Sequence, residues 1–182
     1  MKKFAICFLI IAVLCTSAFA TTLQVGATGR FGGSLVKAED YKNIDNYDFG
    51  ADVRFNVSLF NLSANVLFGK NKGNFVLNSI VTANARFDLN IVNFAIGAGY
   101  ALPFEFGDGG VLIDDKPASQ AWDVFKNSQI LARVAVGVNL GSIDLSVDYK
   151  IPFSTIGKAI KNEDYKSFEQ GKLAFSVLVN LF

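Results

Sequence analysis

The stretch LARVAVGVNLGSIDLSVDYKIPF, residues 131–153, alternates apolar and polar side chains on both sides of a two-residue break. Every second residue is apolar from Ala132 to Leu140, and again from Ile143 to Phe153. A turn at Gly141-Ser142 would pair Leu140 with Ile143 and keep both apolar sets on one face. The opposite face carries Arg133, Asp144, Asp148 and Lys150. The stretch therefore predicts an antiparallel β-hairpin with one apolar and one polar face.

The same period of two recurs along the rest of the chain, in which 51% of the residues are hydrophobic. It predicts eight strands, at roughly 22–32, 47–59, 62–70, 75–88, 91–102, 128–140, 143–153 and 169–182. Each has about the 9 to 11 residues, or a few more, that a tilted transmembrane strand needs.

The connections between these strands alternate in length. Two-residue breaks follow the second, fourth and sixth strands, at Phe60-Asn61, Leu89-Asn90 and Gly141-Ser142. The other connections are 33–46, 71–74, 103–127 and 154–168, and they hold most of the Asp, Glu and Lys residues. We therefore expect one end of the structure to hold only tight turns and the other end to hold the loops.

Residues 1–20, MKKFAICFLIIAVLCTSAFA, have the pattern of a secretory signal peptide. Two lysines precede an apolar core, and an A-x-A site predicts cleavage after Ala20. The core is shorter than the roughly 20 residues of a spanning helix. A lipoprotein signal acylated at Cys15 is the alternative, but the bulky Leu14 disfavours it. The remaining domain is 21–182.

The composition of residues 21–182 restricts the chemistry. Without Lys2 and Lys3 the chain has 15 basic and 16 acidic residues, a net charge of about −1, which implies no nucleic-acid partner. It has no histidine, no G-x-S-x-G motif and, beyond the signal, no cysteine. We therefore expect no catalytic residues, no cofactor and no enzyme activity.

A metal site is not expected either. Asp108, Asp114 and Asp115 lie in one loop, but they lack the regular spacing of a Ca²⁺-binding loop.

Two features indicate that the apolar face meets lipid. The polar face is rich in Gly, Ala, Ser, Asn and Thr, with Arg at intervals, which suits a narrow, filled lumen better than a solvated surface. The apolar face carries aromatic residues near the strand ends, where the girdles of a membrane barrel lie. These are Phe31, Tyr47, Phe49, Phe68, Phe75, Tyr100 and Phe153 toward the loops and Phe87 and Phe94 toward the turns. The alternatives are a soluble sandwich, or a lipocalin-like barrel with its apolar side inward.

The signal, the eight alternating strands, the unequal connections and the terminal Phe182 resemble small outer-membrane β-barrels of the OmpA, OmpX and OmpW type. The resemblance covers residues 21–182 and is architectural. It implies an all-β, eight-stranded antiparallel up-and-down transmembrane β-barrel in a bacterial outer membrane, with turns in the periplasm and loops outside. One departure is that Phe182 is out of phase with the apolar set Leu173, Phe175, Val177, Val179 and Leu181.

Nine charged residues are expected to project into the lumen, where lone charges must be paired or hydrated. They are Arg30, Asp52, Arg54, Arg86, Arg133, Asp144, Asp148, Lys150 and Lys172. They would form either a salt-bridge ladder that closes the lumen or the lining of a pore. In the third loop, Trp122 and Phe125 would share one face of a short helical turn beginning at Pro117 and anchor it at the interface, unless that loop packs on itself.

The expected function follows from this absence of chemistry. We expect a role in envelope integrity, or in adhesion through the loops, with outer-membrane lipids and envelope or host surface molecules as partners. The alternatives are a narrow pore, an OmpW-like route for small or apolar solutes, and a soluble periplasmic binding barrel.

Overall fold

The computed structural model describes residues 21–71, 73–107, 110–113, 116–117, 129–153 and 171–182. The predicted signal peptide lies outside these ranges, as do Trp122 and Phe125. Cleavage after Ala20 and the anchoring role of the two aromatic residues therefore stay predictions.

Ten strands occur in the described residues, and eight of them are long. The long strands are β1 (Thr21–Phe31), β2 (Tyr47–Val57), β3 (Phe60–Asn71), β4 (Asn74–Leu89), β5 (Val92–Gly107), β8 (Gln129–Asn139), β9 (Ile143–Pro152) and β10 (Lys172–Asn180). The short strands are β6 (Gly110–Ile113) and β7 (Lys116–Pro117), and two single 3-10 turns, Asp40–Lys42 and Ile44–Asn46, lie between β1 and β2. No helix in the described ranges is long and apolar enough to cross a membrane.

The eight long strands close into a barrel. Each pairs antiparallel with the long strand before and after it in the chain, and β1 closes the ring against β10. Closure pairs the backbone groups that an open sheet edge would leave without partners in lipid. The predicted eight-stranded antiparallel up-and-down barrel is confirmed.

Tight turns join β2 to β3, β4 to β5 and β8 to β9 at one end of the barrel, but two of them are displaced from their predicted positions. The connection from β3 to β4, predicted among the loops of the other end, is equally short, because Asn71 pairs with Asn74 and only two residues lie between them. The turn between β2 and β3 is Ser58-Leu59, two residues before the prediction, and the turn between β4 and β5 is Asn90-Ile91, one residue after it. Ser58 and Asn90 have φ values of 54° and 59°, so a polar residue supplies the left-handed conformation at each turn. The predicted turn at Gly141-Ser142 is confirmed, with Leu140 N–H donating to the Ile143 carbonyl at 2.8 Å.

The third long connection is more ordered than predicted. Residues 103–107 extend β5, and β6 pairs with this extension. Pro117 pairs with Leu112 as part of β7, so the expected helical start at Pro117 is wrong. Proline is tolerated at a strand edge because it has no N–H to leave unpaired.

The barrel turns its apolar face outward. The side chain of Val136 is 43% exposed, whereas that of Arg133, three residues earlier in the chain, is 1% exposed. The apolar residues of β10 follow the predicted phase, with Phe175, Val177 and Val179 exposed, and Phe182 lies beyond the end of the strand. A soluble barrel would have the opposite arrangement, because its apolar residues would fill the interior.

Phe31 is the exception among the outward aromatic residues. It is buried because the ring of Tyr41 in the first loop stacks on its ring, with the two ring centroids 4.7 Å apart. The ring centroid of Tyr47 is 5.2 Å from that of Phe31. The first loop therefore folds back over the outside of the barrel wall, which strand alternation alone does not reveal.

Candidate functional site

Five charged side chains meet in the middle of the lumen and form what we call the central cluster. They are Asp52, Arg54, Arg133, Asp148 and Lys150, from β2, β8 and β9. Asp148 contacts all three cations: Arg54 at 3.7 Å, Arg133 at 3.5 Å, and Lys150. Arg54 also forms an ion pair with Asp52, with Arg54 Nη2 at 2.7 Å from Asp52 Oδ2. All five residues are buried, so this is an ion-pair network inside the barrel.

The central cluster is not neutral, because three cations share two carboxylates. Removing charges from water costs several kcal/mol per ion, and only close pairing offsets that cost. Asp148 is therefore the residue on which the cluster depends, since its loss would leave Lys150 and Arg133 without an ion-pair partner in the described structure.

A layer of amide side chains lies next to the central cluster on the side of the tight turns. Its members are Gln24, Asn56, Asn61 and Asn84, joined in series by hydrogen bonds of 2.6 to 3.0 Å. Arg86 enters this layer, donates to Gln24 and Asn56, and pairs with Asp144 at 3.4 Å. Arg133 Nη1 donates to Asn61 Oδ1 at 3.3 Å and so links the amide layer to the central cluster.

Arg30 and Lys172 lie nearer the loops. Arg30 Nε donates to Asp48 Oδ2 at 2.8 Å, and Asp48 is a lumen residue that the sequence prediction omitted. Its place on β2, in phase with Asp52 and Arg54, could have identified it. Lys172 is half-buried and forms no ion pair within the described ranges. The other eight predicted lumen residues are buried.

Two separate cavities flank this filled region. The larger, about 420 Å³, lies at the loop end and includes Arg30, Lys150 and Lys172 in its lining. The smaller, about 150 Å³, lies at the turn end and includes Gln24 and Arg86. Along β9 the lumen residues run from Asp144 through Asp148 to Lys150, so the central cluster lies between the two cavities.

Apolar side chains also line part of the lumen. Alanine was expected on the inward face, whereas inward positions of Leu67, Ile80 and Leu131 were not predicted. Leu67, Ile80, Ala101 and Leu131 form one buried cluster. They lie in short runs of consecutive apolar residues, such as Ile130-Leu131-Ala132, where one member must face inward. Such a break in the alternation is the signal that could have located them.

The outer surface carries a broad band of exposed apolar side chains. Aromatic residues mark both ends: Phe49, Phe68, Phe75 and Tyr100 toward the loops, and Phe60 and Phe87 toward the turns. Exposed apolar surface of this extent is unfavourable in water and favourable in lipid. The barrel therefore has the surface of a transmembrane barrel.

The fold is similar to the crystal structure of Neisserial surface protein A, with a TM-score of 0.45 and 15% sequence identity, over 87% of this chain and 96% of that chain. No protein-family model matches the sequence. No curated protein matches it significantly.

Proposed function

We propose that the protein is a non-enzymatic barrel of a bacterial outer membrane, with a closed lumen and with external loops that meet its partners. The central cluster carries this proposal, because its salt bridges join β2, β8 and β9 across the interior. Ion pairs held by several strands fix the register of the barrel and obstruct passage through it.

The outer-membrane location is supported by the exposed apolar band and by the signal pattern of residues 1–20. Cell fractionation tests it. The protein should be recovered with the outer membrane after export, and its electrophoretic mobility should change on heating, as a stable barrel unfolds. Recovery in the aqueous periplasmic fraction without a mobility change would contradict the location.

The loops are proposed to act in envelope integrity or in surface interaction. The first loop supports this role because it has its own internal structure. Asp40 accepts from the Ser34 N–H at 2.7 Å, and the Tyr47 hydroxyl donates to the Tyr41 carbonyl at 2.9 Å. Val36, at 76% exposure, is presented to the outside by this ordered loop.

A deletion strain separates the two roles. Its detergent sensitivity and its adhesion to surfaces would be measured after complementation with the native chain or with a chain whose residues 34–45 are replaced by a Gly/Ser linker. Restored detergent resistance with lost adhesion would assign the loop to surface interaction. Failure of both chains to restore either property would contradict both roles.

A narrow conduit is the second candidate, favoured by the 420 Å³ cavity that enters the lumen from the loop end. Planar-bilayer recording distinguishes it from the closed barrel. Discrete conductance of the native protein, changed by Arg133→Ala, would support the conduit, and silence would support the closed lumen.

A further inference from the structure

The cavity at the loop end has two chemically different walls. Its apolar wall is made by Val76 and Ile80 on β4, Ala101 on β5 and Leu131 on β8, all of them buried. Its cationic wall is made by Arg30 on β1, Lys150 on β9 and Lys172 on β10. In the ring of eight long strands β4 and β5 are opposite β10 and β1, so Val76, Ile80 and Ala101 face Lys172 and Arg30 across the cavity. Leu131 on β8 extends the apolar wall to the strand next to β9, which carries Lys150.

The cationic wall continues a row of three like charges. Lys172 pairs in register with Lys150, and Lys150 pairs in register with Arg133. Like charges on directly opposed residues are destabilising, so such a row needs counter-charges. Asp148 serves Lys150 and Arg133, while Lys172 has no carboxylate within ion-pair distance among the described residues.

The net charge of the cavity also indicates that a negative counter-charge is missing. Arg30, Lys70, Lys150 and Lys172 line it, against the three carboxylates Asp45, Asp48 and Glu105. Arg30 is paired with Asp48, and Glu105 accepts hydrogen bonds from Asn71 and Asn74. Among the described lining residues the excess is one positive charge. Lys150 shares Asp148 with the central cluster, and the described residues of the cavity and the cluster taken together also have an excess of one positive charge, which a single anionic group would neutralise.

We propose that this cavity binds an alkyl carboxylate, with its carboxylate at Lys172 and its hydrocarbon part on the wall formed by Val76, Ile80, Ala101 and Leu131. The volume of about 420 Å³ is within the range of small-molecule sites. A carboxylate carries the one negative charge that the cavity lacks, and the apolar wall would gain contact with a ligand that water does not provide. This ligand site goes beyond the proposed role in the envelope and requires only a folded barrel.

The test is methyl NMR on the protein in nanodiscs of zwitterionic phosphatidylcholine, with labelled isoleucine. Ile80 reports on the cavity, and Ile96 and Ile143, which are exposed on the outer face, report on partitioning into lipid. Hexanoate, hexanol and inorganic phosphate are titrated separately. Hexanoate should shift the Ile80 methyl saturably without an equal shift at Ile96, and it should bind more tightly than the other two compounds.

Two variants locate the carboxylate. Lys172→Gln should weaken hexanoate binding by about tenfold, the effect of losing one charge-assisted hydrogen bond. Lys42→Gln is the matched control, because Lys42 is exposed in the first loop and does not line the cavity. A change in electrophoretic mobility on heating, equal to that of the native protein, would verify that each variant is folded.

Four outcomes would overturn the proposal. Absence of a saturable Ile80 shift with hexanoate would show that the cavity takes no such ligand. Hexanol binding as tightly as hexanoate would show that the carboxylate is not required. Phosphate binding as tightly as hexanoate would show that the alkyl chain is not required. Unchanged hexanoate affinity in Lys172→Gln would exclude the assigned head-group position. The hexanoate and hexanol comparison uses the native chain, so it holds even if a variant misfolds.

Discussion

Arg133 on β8 and Asp148 on β9 meet inside the barrel, with Arg133 Nη2 at 3.5 Å from Asp148 Oδ2, and each side chain is 1% exposed. In the register of the two strands Asp148 pairs with Ala135 and Arg133 pairs with Lys150, so the contact is diagonal. It places the carboxylate between the guanidinium and the Lys150 ammonium. The central cluster is therefore organised around one acidic residue.

Asp148→Ala should destabilise the barrel by about 3 to 5 kcal/mol, because it leaves buried cations without a counter-charge. The measurement is the free energy of unfolding in urea for the protein reconstituted in lipid vesicles. Glu39→Gln removes an exposed carboxylate of the first loop and should change that free energy by less than about 0.5 kcal/mol. An equal effect of the two substitutions would contradict a buried ion-pair network.

Removing both Asp148 and Arg133 should cost less than the sum of the two single removals. In Asp148→Ala combined with Arg133→Ala, the cluster keeps Asp52 and Arg54 as a pair and Lys150 as its remaining cation. Removing Arg133 relieves part of the charge imbalance, so the double variant should be more stable than additivity of the single variants predicts, by about 0.5 to 3 kcal/mol. A double-mutant cycle of unfolding free energies measures this, and strict additivity would show that the two residues do not interact.

Gly97→Ala should destabilise the barrel, because a Cβ at Gly97 would overlap the carbonyl oxygen of Ala83 on the neighbouring strand β4. Overpacking against backbone typically costs about 1 to 3 kcal/mol or more. Gly29→Ala is the control, since the nearest atom to its Cβ would be a ring carbon of Phe49 at 3.4 Å. Folding yield and unfolding free energy should fall for the first variant and remain near native for the second. Equal tolerance of both substitutions would contradict the close strand approach at Gly97.

A charge on the lipid face should be costly at the centre of the barrel wall and tolerated near the turns. Val134→Arg, in the middle of β8, should destabilise the membrane-embedded barrel by about 2 to 4 kcal/mol, and Leu140→Arg, beside the turn at Gly141, by about 0 to 1 kcal/mol. Both residues are exposed on the outer face. Unfolding free energies in lipid vesicles measure the difference, and equal costs at the two positions would argue against a membrane-spanning orientation.

Much of the barrel could be predicted from the sequence because a strand has a side-chain period of two. The phase of Val134, Val136 and Val138 fixes the inward direction of Arg133, and the same reasoning places the other seven buried lumen charges. The alternation also predicted the number of long strands, and the two-residue turns predicted that strands consecutive in the chain pair with each other.

Features that depend on lateral pairing or on loops could not be predicted in the same way. Strand phase does not specify which carboxylate a guanidinium contacts. The pairing of Arg30 with Asp48 and the contacts of Asp148 with three cations can be predicted only when the register between neighbouring strands is known. The burial of Phe31 depends on a loop that folds over the wall. The turn at Ser58-Leu59 was predicted two residues too late because Asn61 is a common turn residue, although its side chain is a buried part of the amide layer.

The most direct test of the central claim, that the apolar face meets lipid, uses single cysteines, because residues 21–182 contain none. Val136→Cys and Ala135→Cys would each be spin-labelled in the protein reconstituted in liposomes, and collision with dissolved oxygen and with a water-soluble nickel chelate would be measured. The label at position 136 should be accessible to oxygen and protected from the chelate, and the label at position 135, inside the barrel, should be poorly accessible to oxygen. High accessibility of position 136 to the nickel chelate would contradict a lipid-facing apolar surface.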